Sequence, residues 1–362
     1  MGINRLVFFR TDGNSQIASG HLMRCISIAE ACLESGMEVH FLVSDEESVS
    51  FFRKKLSASF PVTCLTSAAY NQLDQELPEL LVLLANAQQQ NPVFFLDSYF
   101  VTETYLNQIK NFVKVAYLDD LQLFDYPVNL LINYDVIPDS SLSTYRFAYR
   151  NAGRLLLGAK YAPLRSQFLN RETVVRKKVS NILVTTGGSD NYHFCLHLIN
   201  HLCHLALWDK ITSSGITFRI LVGYMNSDKA SLVSLVESIP ALELYENITD
   251  MASFMEECDL AISAAGTTLY ELCALGLPAI SYTMADNQLS AAKAFASEHI
   301  IPCAGDIRSG MDTVLETIHL FLTEMTENQN TSYLKRKSAH ETMRRFIDGS
   351  GSIKIAEAIR GL

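Results

Sequence analysis

Short apolar segments alternate with longer amphipathic segments along this chain, and the alternation occurs twice. The strand candidates are residues 5–10, 38–43, 62–65, 93–97, 115–119 and 129–133, followed by 181–185, 217–223, 242–245, 259–263 and 279–282. The helix candidates are residues 20–35, 46–56, 72–89, 102–112, 192–207, 228–237, 251–256, 267–275 and 289–299. Near-continuous apolar strands separated by helices are typical of parallel sheets covered on both faces. The pattern therefore predicts the α/β class, with two doubly wound domains and a cleft between them.

The length of the chain supports two domains, because 362 residues exceed what one hydrophobic core normally holds. Pro163 interrupts regular structure within 158–165, and a charged stretch, 171–178, precedes the first strand of the second half. We expect a Rossmann-like domain over 1–160, a linker over 161–179 and a second Rossmann-like domain over 180–345. The terminal segment, 346–362, is expected to be a helix that could return to the first domain.

The charge and the apolar pattern exclude several classes of protein. The net charge of −10 argues against nucleic acid or an anionic membrane surface as the main partner. Apolar runs such as 80–84 are far shorter than the ~20 residues that a membrane-spanning helix needs. The first residues show no cleavable signal pattern, and the eight cysteines form no C-x-x-C pair. We expect a cytoplasmic protein without membrane insertion, whose oligomeric state the sequence leaves open.

The segment from Arg10 to Arg24 contains the strongest candidate for a catalytic group. Gly20 and His21 stand between the first strand and the first helix, where ligands bind in open α/β sheets. The positive end of the helix dipole favours anions and a neutral imidazole, which can accept a proton. His21 and Arg24 share one helical face, and Asp12 lies in the polar loop before them. The alternative is a capping loop with a surface histidine.

Two loops in the second half have the composition of phosphate-binding turns. In the first, Gly187, Gly188 and Ser189 follow a strand and precede a helix, so their amides could approach a phosphate; the alternative is a tight turn. The second loop runs from Ser263 to Glu271, and Glu271 is placed to accept bonds from vicinal sugar hydroxyls. The other candidate ligand-binding residues of this loop are Ser263, Ala264, Gly266, Thr267 and Thr268. A capping box of Thr268 and Glu271 would also explain this loop, and the two interpretations are compatible.

Three further polar residues follow predicted strands. Asn287 and Gln288 offer side-chain amides to a sugar or a water, although an ordinary N-cap by Asp286 or Asn287 also fits. Tyr99 closes the sequence Asp-Ser-Tyr at the end of the fourth strand and could donate to a ligand. The alternative for Tyr99 is a turn with a half-buried tyrosine.

A run of histidines at 193, 197 and 201, with His204 nearby, suggests a metal site at first sight. Ligands spaced by four along one helix span ~12 Å from first to last, which is too far for one ion. The run therefore predicts a stripe of core and surface residues, and the sequence predicts no metal and no cofactor.

Taken together, these segments resemble the UDP-sugar hydrolases of pseudaminic acid biosynthesis. The likeness rests on 9–12 and 20–24, on the interdomain segment 158–165, on 186–190, 263–271 and 287–288, and on the ending 347–351. The substrate of that family is UDP-2,4-diacetamido-2,4,6-trideoxy-β-L-altropyranose. The second-half motifs recur in a wider set of UDP-sugar enzymes, which includes the transferase that adds N-acetylglucosamine in peptidoglycan synthesis.

The resemblance implies a GT-B-like fold, with two Rossmann-type domains facing across a cleft. UDP would bind the 180–345 domain, and the sugar would lie beside the catalytic histidine of the 1–160 domain. Cleavage of the anomeric C–O bond would give UDP and the free sugar with inversion, without a metal, for nonulosonic acids used in flagellin glycosylation or cell-surface polysaccharide. The resemblance carries over His21, Tyr99 and Asn287 as catalytic positions and Glu271 as the ribose-binding carboxylate. With Asp12 from the polar loop, the catalytic candidates are His21, Asp12, Tyr99 and Asn287. The substrate-binding candidates are Arg10, Gly20, Arg24, Gly187, Gly188, Ser189, Ser263, Ala264, Gly266, Thr267, Thr268, Glu271 and Gln288.

Asp12 could orient His21 or bind a sugar hydroxyl, and the sequence does not decide between these roles. A GT-B glycosyltransferase that uses a UDP-amino sugar donor would need the same loops. We see no strong apolar or basic patch for docking on a membrane-bound acceptor, which favours the hydrolase. The third alternative is a non-hydrolysing epimerase or a nucleotide-sugar binding protein without catalytic activity.

Overall fold

The computed structural model describes residues 5–17, 19–55, 60–223 and 225–362. It divides into two compact units. The first comprises Met1–Ser166 together with Ser350–Leu362, and the second is Gln167–Gly349. The first boundary between the units, at 166/167, lies inside the segment expected to be a linker. The second boundary, at 349/350, lies inside the segment expected to form the terminal helix.

The first unit is built on a parallel sheet, seven-stranded in its described part. Its strands are β1 (Leu6–Thr11), β2 (Glu38–Val43), β3 (Val62–Cys64), β4 (Val93–Asp97), β5 (Lys114–Leu118), β6 (Leu130–Asn133) and β7 (Arg154–Leu157). The helices between them are α1 (Gly20–Glu34), α2 (Glu46–Lys55), α3 (Leu77–Asn86), α4 (Glu103–Lys110) and α5 (Leu142–Ala148). The order across the sheet is β3-β2-β1-β4-β5-β6-β7.

The second unit repeats this plan with a six-stranded parallel sheet in its described residues. Its strands are β8 (Asn181–Thr185), β9 (Thr217–Leu221), β10 (Leu242–Tyr245), β11 (Leu260–Ala264), β12 (Ala279–Thr283) and β13 (Cys303–Asp306), in the order β10-β9-β8-β11-β12-β13. Its helices are α6 (Phe194–Cys203), α7 (Ala206–Ser213), α8 (Lys229–Ser238), α9 (Met251–Glu256), α10 (Thr268–Leu275), α11 (Asp286–Ser297), α12 (Ile307–Thr326) and α13 (Gln329–Phe346).

The predicted α/β class with two doubly wound sheets is confirmed. Central strands such as β4, β11 and β12 are buried along their whole length, because helices cover both faces of each sheet. The sequence pattern missed β7 and β13, which are four residues each. The single helix expected over 192–207 is two helices, α6 and α7, and the helix expected over 289–299 starts earlier, at Asp286.

The last helix, α14 (Gly351–Arg360), belongs to the first unit and packs on α1. The Arg5 guanidinium donates to the main-chain carbonyls of Ile359 and Arg360, at 2.8 and 2.9 Å. A Cβ on Gly351 would lie closer than 3.0 Å to the carbonyl of Ala162, so glycine permits the close approach at the start of this helix. Among the described helices, none combines the length and the apolar character needed to cross a membrane.

The strand order places the switch point at equivalent positions in the two sheets. In each sheet, the first strand lies between the second and the fourth. The chain therefore runs in opposite directions on the two sides of the gap between β1 and β4, and likewise on the two sides of the gap between β8 and β11. Thr11 pairs with Asp97 across the first gap, and Thr185 pairs with Ser263 across the second. Ligands of open α/β sheets bind at such points, beyond the carboxyl ends of the strands.

Candidate active site

His21 lies in the first turn of α1, at the carboxyl edge of the first sheet. Because α1 begins at Gly20, the imidazole stands beside the end of β4, where Asp97 is the last strand residue. The Nδ1 atom of His21 is 2.7 Å from Oδ1 of Asp97. Among the described residues, none forms a hydrogen bond with the Nε2 atom of His21. A histidine–carboxylate dyad therefore lies at the switch point between β1 and β4.

Arg24 holds the carboxylate of this dyad. Its Nε and Nη2 groups each donate to an oxygen of Asp97 at 2.6 Å, in a bidentate pair. Its Nη1 group donates to Oδ2 of Asp120 at 3.0 Å and to the Tyr134 hydroxyl at 2.8 Å. The sequence placed Arg24 among the substrate-binding residues. In the structure its donors meet protein acceptors, and it positions Asp97.

The charges of this cluster determine which nitrogen of His21 carries the proton. Burial by itself raises the pKa of Asp97, but Arg24 and His21 outweigh it and hold that pKa well below its ordinary range. An ionised Asp97 only accepts hydrogen bonds, so Nδ1 of His21 is the protonated nitrogen. Nη2 of Arg24 lies 3.0 Å from Nδ1 because both groups bind the same oxygen of Asp97. Nε2 is left with its lone pair and can act as a base.

Tyr99 packs against the catalytic candidate. Its ring meets the imidazole of His21 edge-on, with 4.5 Å between centroids and 79° between planes. Its hydroxyl donates to Oδ2 of Asp120 at 3.1 Å. Burial and the charge of Asp120 raise the pKa of Tyr99, so the phenol keeps its proton. Tyr99 is 39% exposed, which leaves part of its ring available beside His21.

Arg10 lies inside the first unit rather than at its ligand-binding edge. Its side chain is fully buried in β1 and donates through Nε and Nη2 to Glu76, each at 2.8 Å. Nη1 of Arg10 pairs with Asp12, and the Tyr105 hydroxyl also donates to Glu76 at 2.6 Å. The residue assigned to substrate binding from the sequence therefore has no exposed surface to offer a ligand.

Asp12 is occupied by the same network. Besides its pair with Arg10, its Oδ1 accepts from the amide and the hydroxyl of Ser44, at 2.7 and 3.0 Å. Its carboxylate thus ties the loop after β1 to the loop after β2. The group that orients His21 in this structure is Asp97.

The glycine loop after β8 presents backbone at the second switch point. Gly187 has a φ of +79°, which favours glycine, and both Gly187 and Gly188 are exposed, with Ser189 half-buried. Asp190 ends the loop and caps α6, since its two oxygens accept from the amides of Phe194 and Cys195 at 2.8 and 3.0 Å. The loop is therefore fixed at its helix end and open at its glycines.

Gly223, beyond the end of β9, supports this loop. A Cβ at Gly223 would lie closer than 3.0 Å to the carbonyl oxygens of Gly187 and Gly188. The amide of Met225 donates to the Gly188 carbonyl at 3.3 Å. The sequence analysis placed Gly223 at the end of a predicted strand but not in the site, although a glycine in a strand is a signal of close backbone approach.

The loop between β11 and α10 follows the strand paired with β8, so it begins at the same edge of the second sheet as the glycine loop. Ser263 and Ala264 are buried at the end of β11, and the Ser263 hydroxyl donates to the Ala264 carbonyl at 2.9 Å. Gly266 is half-buried and Thr267 is exposed. The N-cap of α10 is Thr267, whose side chain makes no capping bond, so Thr268 does not have the capping position considered from the sequence.

Asn287 and Gln288 lie in the first turn of α11, beyond the end of β12. The N-cap is Ala285, so neither Asp286 nor Asn287 has the capping position considered from the sequence. Oε1 of Gln288 accepts from the amide of Met284 at 2.9 Å, while Asn287 is exposed. Gln288 thus secures the turn, and Asn287 is the residue of the two that presents its side chain to solvent.

In the first unit, the sequence analysis missed the role of Asp97 as the partner of His21 and the two residues that bind Arg24. Asp97 was quoted only as the start of a motif, and neither Asp120 nor Tyr134 was singled out. One signal was present, because the fourth predicted strand ends in Asp97 and a doubly wound order places that strand beside the first. The contact itself joins residues 76 positions apart.

Comparisons with solved structures identify the architecture. Over 99% of this chain and 100% of the other, the structure resembles MurG of Acinetobacter baumannii, with a TM-score of 0.67 at 14% sequence identity. The chain has a GT-B fold. At this identity the likeness concerns the fold alone.

Sequence comparisons match a family model to the second unit and a curated relative to 58% of the chain. Residues 181–346 match the family model described as the glycosyltransferase family 28 C-terminal domain. The spore coat polysaccharide biosynthesis protein SpsG of Bacillus subtilis is 26% identical over 212 residues, which are 58% of this chain and 59% of that protein.

A second curated relative has a more specific name. The pseudaminic acid cytidylyltransferase and UDP-2,4-diacetamido-2,4,6-trideoxy-β-L-altropyranose hydrolase of Helicobacter pylori is 20% identical over 282 residues, which are 77% of this chain and 44% of that protein. The chain thus spans about half the length of the curated relatives it matches. Together, the likenesses show a GT-B fold and a second unit similar to the glycosyltransferase family 28 C-terminal domain.

Proposed function

We propose that this protein is a UDP-sugar hydrolase. In this proposal it cleaves the anomeric C–O bond of a UDP-2,4-diacetamido-2,4,6-trideoxyhexose and releases UDP and the free sugar with inversion. Such a reaction supplies the sugar for nonulosonic acids, of which pseudaminic acid is one. The proposal joins the geometry around His21 to the activity named for the Helicobacter pylori relative.

The observation that carries the proposal is the His21–Asp97 dyad. Water is a poor nucleophile until a base removes a proton as it attacks. Nε2 of His21 would take that proton while the water oxygen bonds to C1 of the sugar. The bond from C1 to the phosphate oxygen would break at the same time, and its electron pair would leave with UDP. A positioned base of this kind contributes ~10²–10⁴-fold to the rate.

Asp97 would make His21 suitable for this role in two ways. It fixes the tautomer that leaves Nε2 unprotonated, and its negative charge stabilises the imidazolium that forms as water is deprotonated. Arg24 holds Asp97 at both oxygens, so the dyad is preorganised before substrate binds. A single displacement at C1 inverts the configuration.

The second unit would bind UDP. The glycine loop of Gly187 and Gly188 and the start of α10 at Gly266–Thr268 flank the switch point between β8 and β11. Amides at a helix N-terminus have no partner within the helix, and they favour a negatively charged group. The same amides would stabilise the charge that develops on the departing diphosphate, so the proposal needs no metal.

A second candidate function is transfer of the sugar to an acceptor other than water. The specific observation in its favour is the match of residues 181–346 to the glycosyltransferase family 28 C-terminal domain. A base at His21 would serve an acceptor hydroxyl as well as a water. The choice between the two functions therefore depends on which nucleophile is used.

One experiment separates these functions. The protein is incubated with the UDP-diacetamido sugar in EDTA, without an acceptor, and the products are followed by NMR. The hydrolase proposal predicts UDP and a free reducing sugar at catalytic rates. If UDP appears only after an acceptor is added, the transferase replaces the hydrolase, and an isomerised sugar would identify an epimerase.

A matched pair of variants tests the role of His21. His21→Gln should fold and bind UDP but lose at least ~100-fold of the turnover rate. His40→Gln is the control, because it removes a histidine from the middle of β2 in the same unit. Full activity of folded His21→Gln would remove this residue from the mechanism.

A further inference from the structure

Three potential metal ligands meet on the second unit, outside the residues used above. His201 lies in the last turn of α6, and Glu316 and His319 lie one turn apart on α12. Their ligand atoms all fall within 4.8 Å of one another. The two imidazole rings have centroids 6.5 Å apart and are tilted by 66°. The apolar faces of α6 and α12 pack into one core cluster, which holds the two helices in this register.

The nitrogens that face one another have no hydrogen bond in the described part of the chain. Nε2 of His201 and Nδ1 of His319 are both buried atoms without a partner. They lie 3.7 and 3.5 Å from the two different oxygens of Glu316. These separations exceed a normal hydrogen bond, and buried polar atoms are rarely left unpaired. Among the residues described, the two buried nitrogens therefore lack the hydrogen-bond partners that buried polar atoms normally have.

The distances within the cluster suit a small bound cation better than direct hydrogen bonds between the histidines and Glu316. A tetrahedral zinc ion with ligands at about 2.0–2.2 Å places neighbouring ligand atoms about 3.4 Å apart. The two imidazole nitrogens lie 3.7 and 3.5 Å from different oxygens of Glu316, so a bidentate carboxylate or a rotation of the Glu316 side chain would complete the set. Two imidazoles and one carboxylate form a donor set that suits zinc, nickel or copper, whereas magnesium and calcium prefer oxygen ligands.

We propose that His201, Glu316 and His319 bind a divalent transition-metal ion, with zinc as the physiological candidate. The fourth position would be taken by water, because the Glu316 side chain is 54% exposed. The ion would fasten the end of α6 to α12 and stabilise the second unit. This site is independent of the proposed hydrolysis and carries no step of it.

The sequence analysis rejected the histidine run as a metal site, and in the structure only His201 of that run joins the cluster. His193 bonds through Nδ1 to Asp228 at 2.7 Å and does not join the cluster. His201 instead meets two residues that lie more than 100 positions later in the chain. The site combines one residue of the run with a Glu-x-x-His pair on another helix.

The test is metal binding to the intact, metal-stripped protein. Zinc titration by calorimetry should show one site, and zinc at roughly a hundred times its Kd should raise Tm by about 5 °C or more. Cobalt should give the intense visible absorption of a tetrahedral site. Magnesium should give neither effect.

Variants decide whether these residues are the ligands. Glu316→Gln and His319→Gln should each weaken zinc binding by at least tenfold and lose the cobalt absorption. His197→Gln is the matched control, because this exposed histidine lies one turn earlier on α6. Circular dichroism of the metal-free variants checks folding, and half-exposed Glu316 tolerates substitution even if a histidine variant does not fold. Absence of zinc binding, or unchanged binding in folded Glu316→Gln and His319→Gln, overturns the proposal.

Discussion

Replacing Asp97 by asparagine tests whether His21 needs the Asp97 carboxylate to act as a base, because the histidine itself stays in place. The variant Asp97→Asn keeps the shape of the side chain but removes its charge. Its amide can face His21 with a donor, which places the imidazole proton on Nε2, where a base needs a lone pair. We expect kcat to fall by ~10²–10⁴-fold, which corresponds to about 3–5 kcal/mol of activation free energy.

The same substitution has a cost in stability that can be worked out from the structure. The Arg24 and Asp97 side chains are 11% and 0% exposed, and loss of one partner of a buried pair costs about 3–5 kcal/mol. Arg24 keeps Asp120, so the lower end applies, and Tm should fall by about 6–12 °C. The lowered pKa of Asp97 also means that this stabilisation is present above its unfolded pKa and is lost as the pH falls below about 4.

The assay is UDP release from the UDP-sugar at a temperature well below the Tm of each variant. Asp120→Asn serves as the control, because it removes the other carboxylate on Arg24 without touching His21. It should lose less than about tenfold in kcat, since the dyad stays intact. The reasoning is refuted if folded Asp97→Asn works within threefold of the wild-type rate, or if Asp120→Asn loses as much activity.

Three further predictions concern other parts of the molecule. Gly223→Ala should displace the loop of Gly187 and Gly188 and raise the Kd for UDP by at least ~10-fold by calorimetry, and unchanged affinity would separate this loop from nucleotide binding. Partial burial, together with the charge of Asp120, raises the pKa of Asp135 to about 6, and a raised pKa lowers the stability as the pH rises from about 4 to 6. Asp135→Asn should therefore raise the free energy of unfolding at pH 8 by up to about 3 kcal/mol, with a higher Tm, and have little effect at pH 4. An equal change at both pH values would contradict the raised pKa of Asp135 as the cause. EDTA should leave the initial rate within about twofold, because helix amides rather than a metal stabilise the leaving group, and loss of turnover in folded protein that magnesium restores would contradict this.

The fold could be predicted from the sequence because parallel sheets leave a strong pattern. Buried strands such as β4 read as continuous apolar runs, and the helices between them repeat at regular spacing. Element ends were less certain, because the break between α6 and α7 at 204–205 lies within a stretch that stays apolar and helical in pattern. The two four-residue strands, β7 and β13, are too short to stand out.

The position of His21 could be predicted, but its partner could not. A histidine between the first strand and the first helix lies at a ligand-binding edge in any doubly wound fold. Its contact with Asp97 depends on how side chains pack across the switch point, which local sequence does not record. Arg10 shows the same limit, because only the fold reveals that Glu76 reaches β1 and neutralises this buried charge.

Isotope tracing in ¹⁸O-labelled water tests the central claim most directly. A single turnover of the UDP-diacetamido sugar without an acceptor is stopped early, and UDP and the sugar are analysed by mass spectrometry and NMR. Attack of a His21-activated water on C1 predicts ¹⁸O on the sugar, none in UDP, and the inverted anomer formed first. Label in the phosphate of UDP, or no UDP until an acceptor is supplied, would contradict the account.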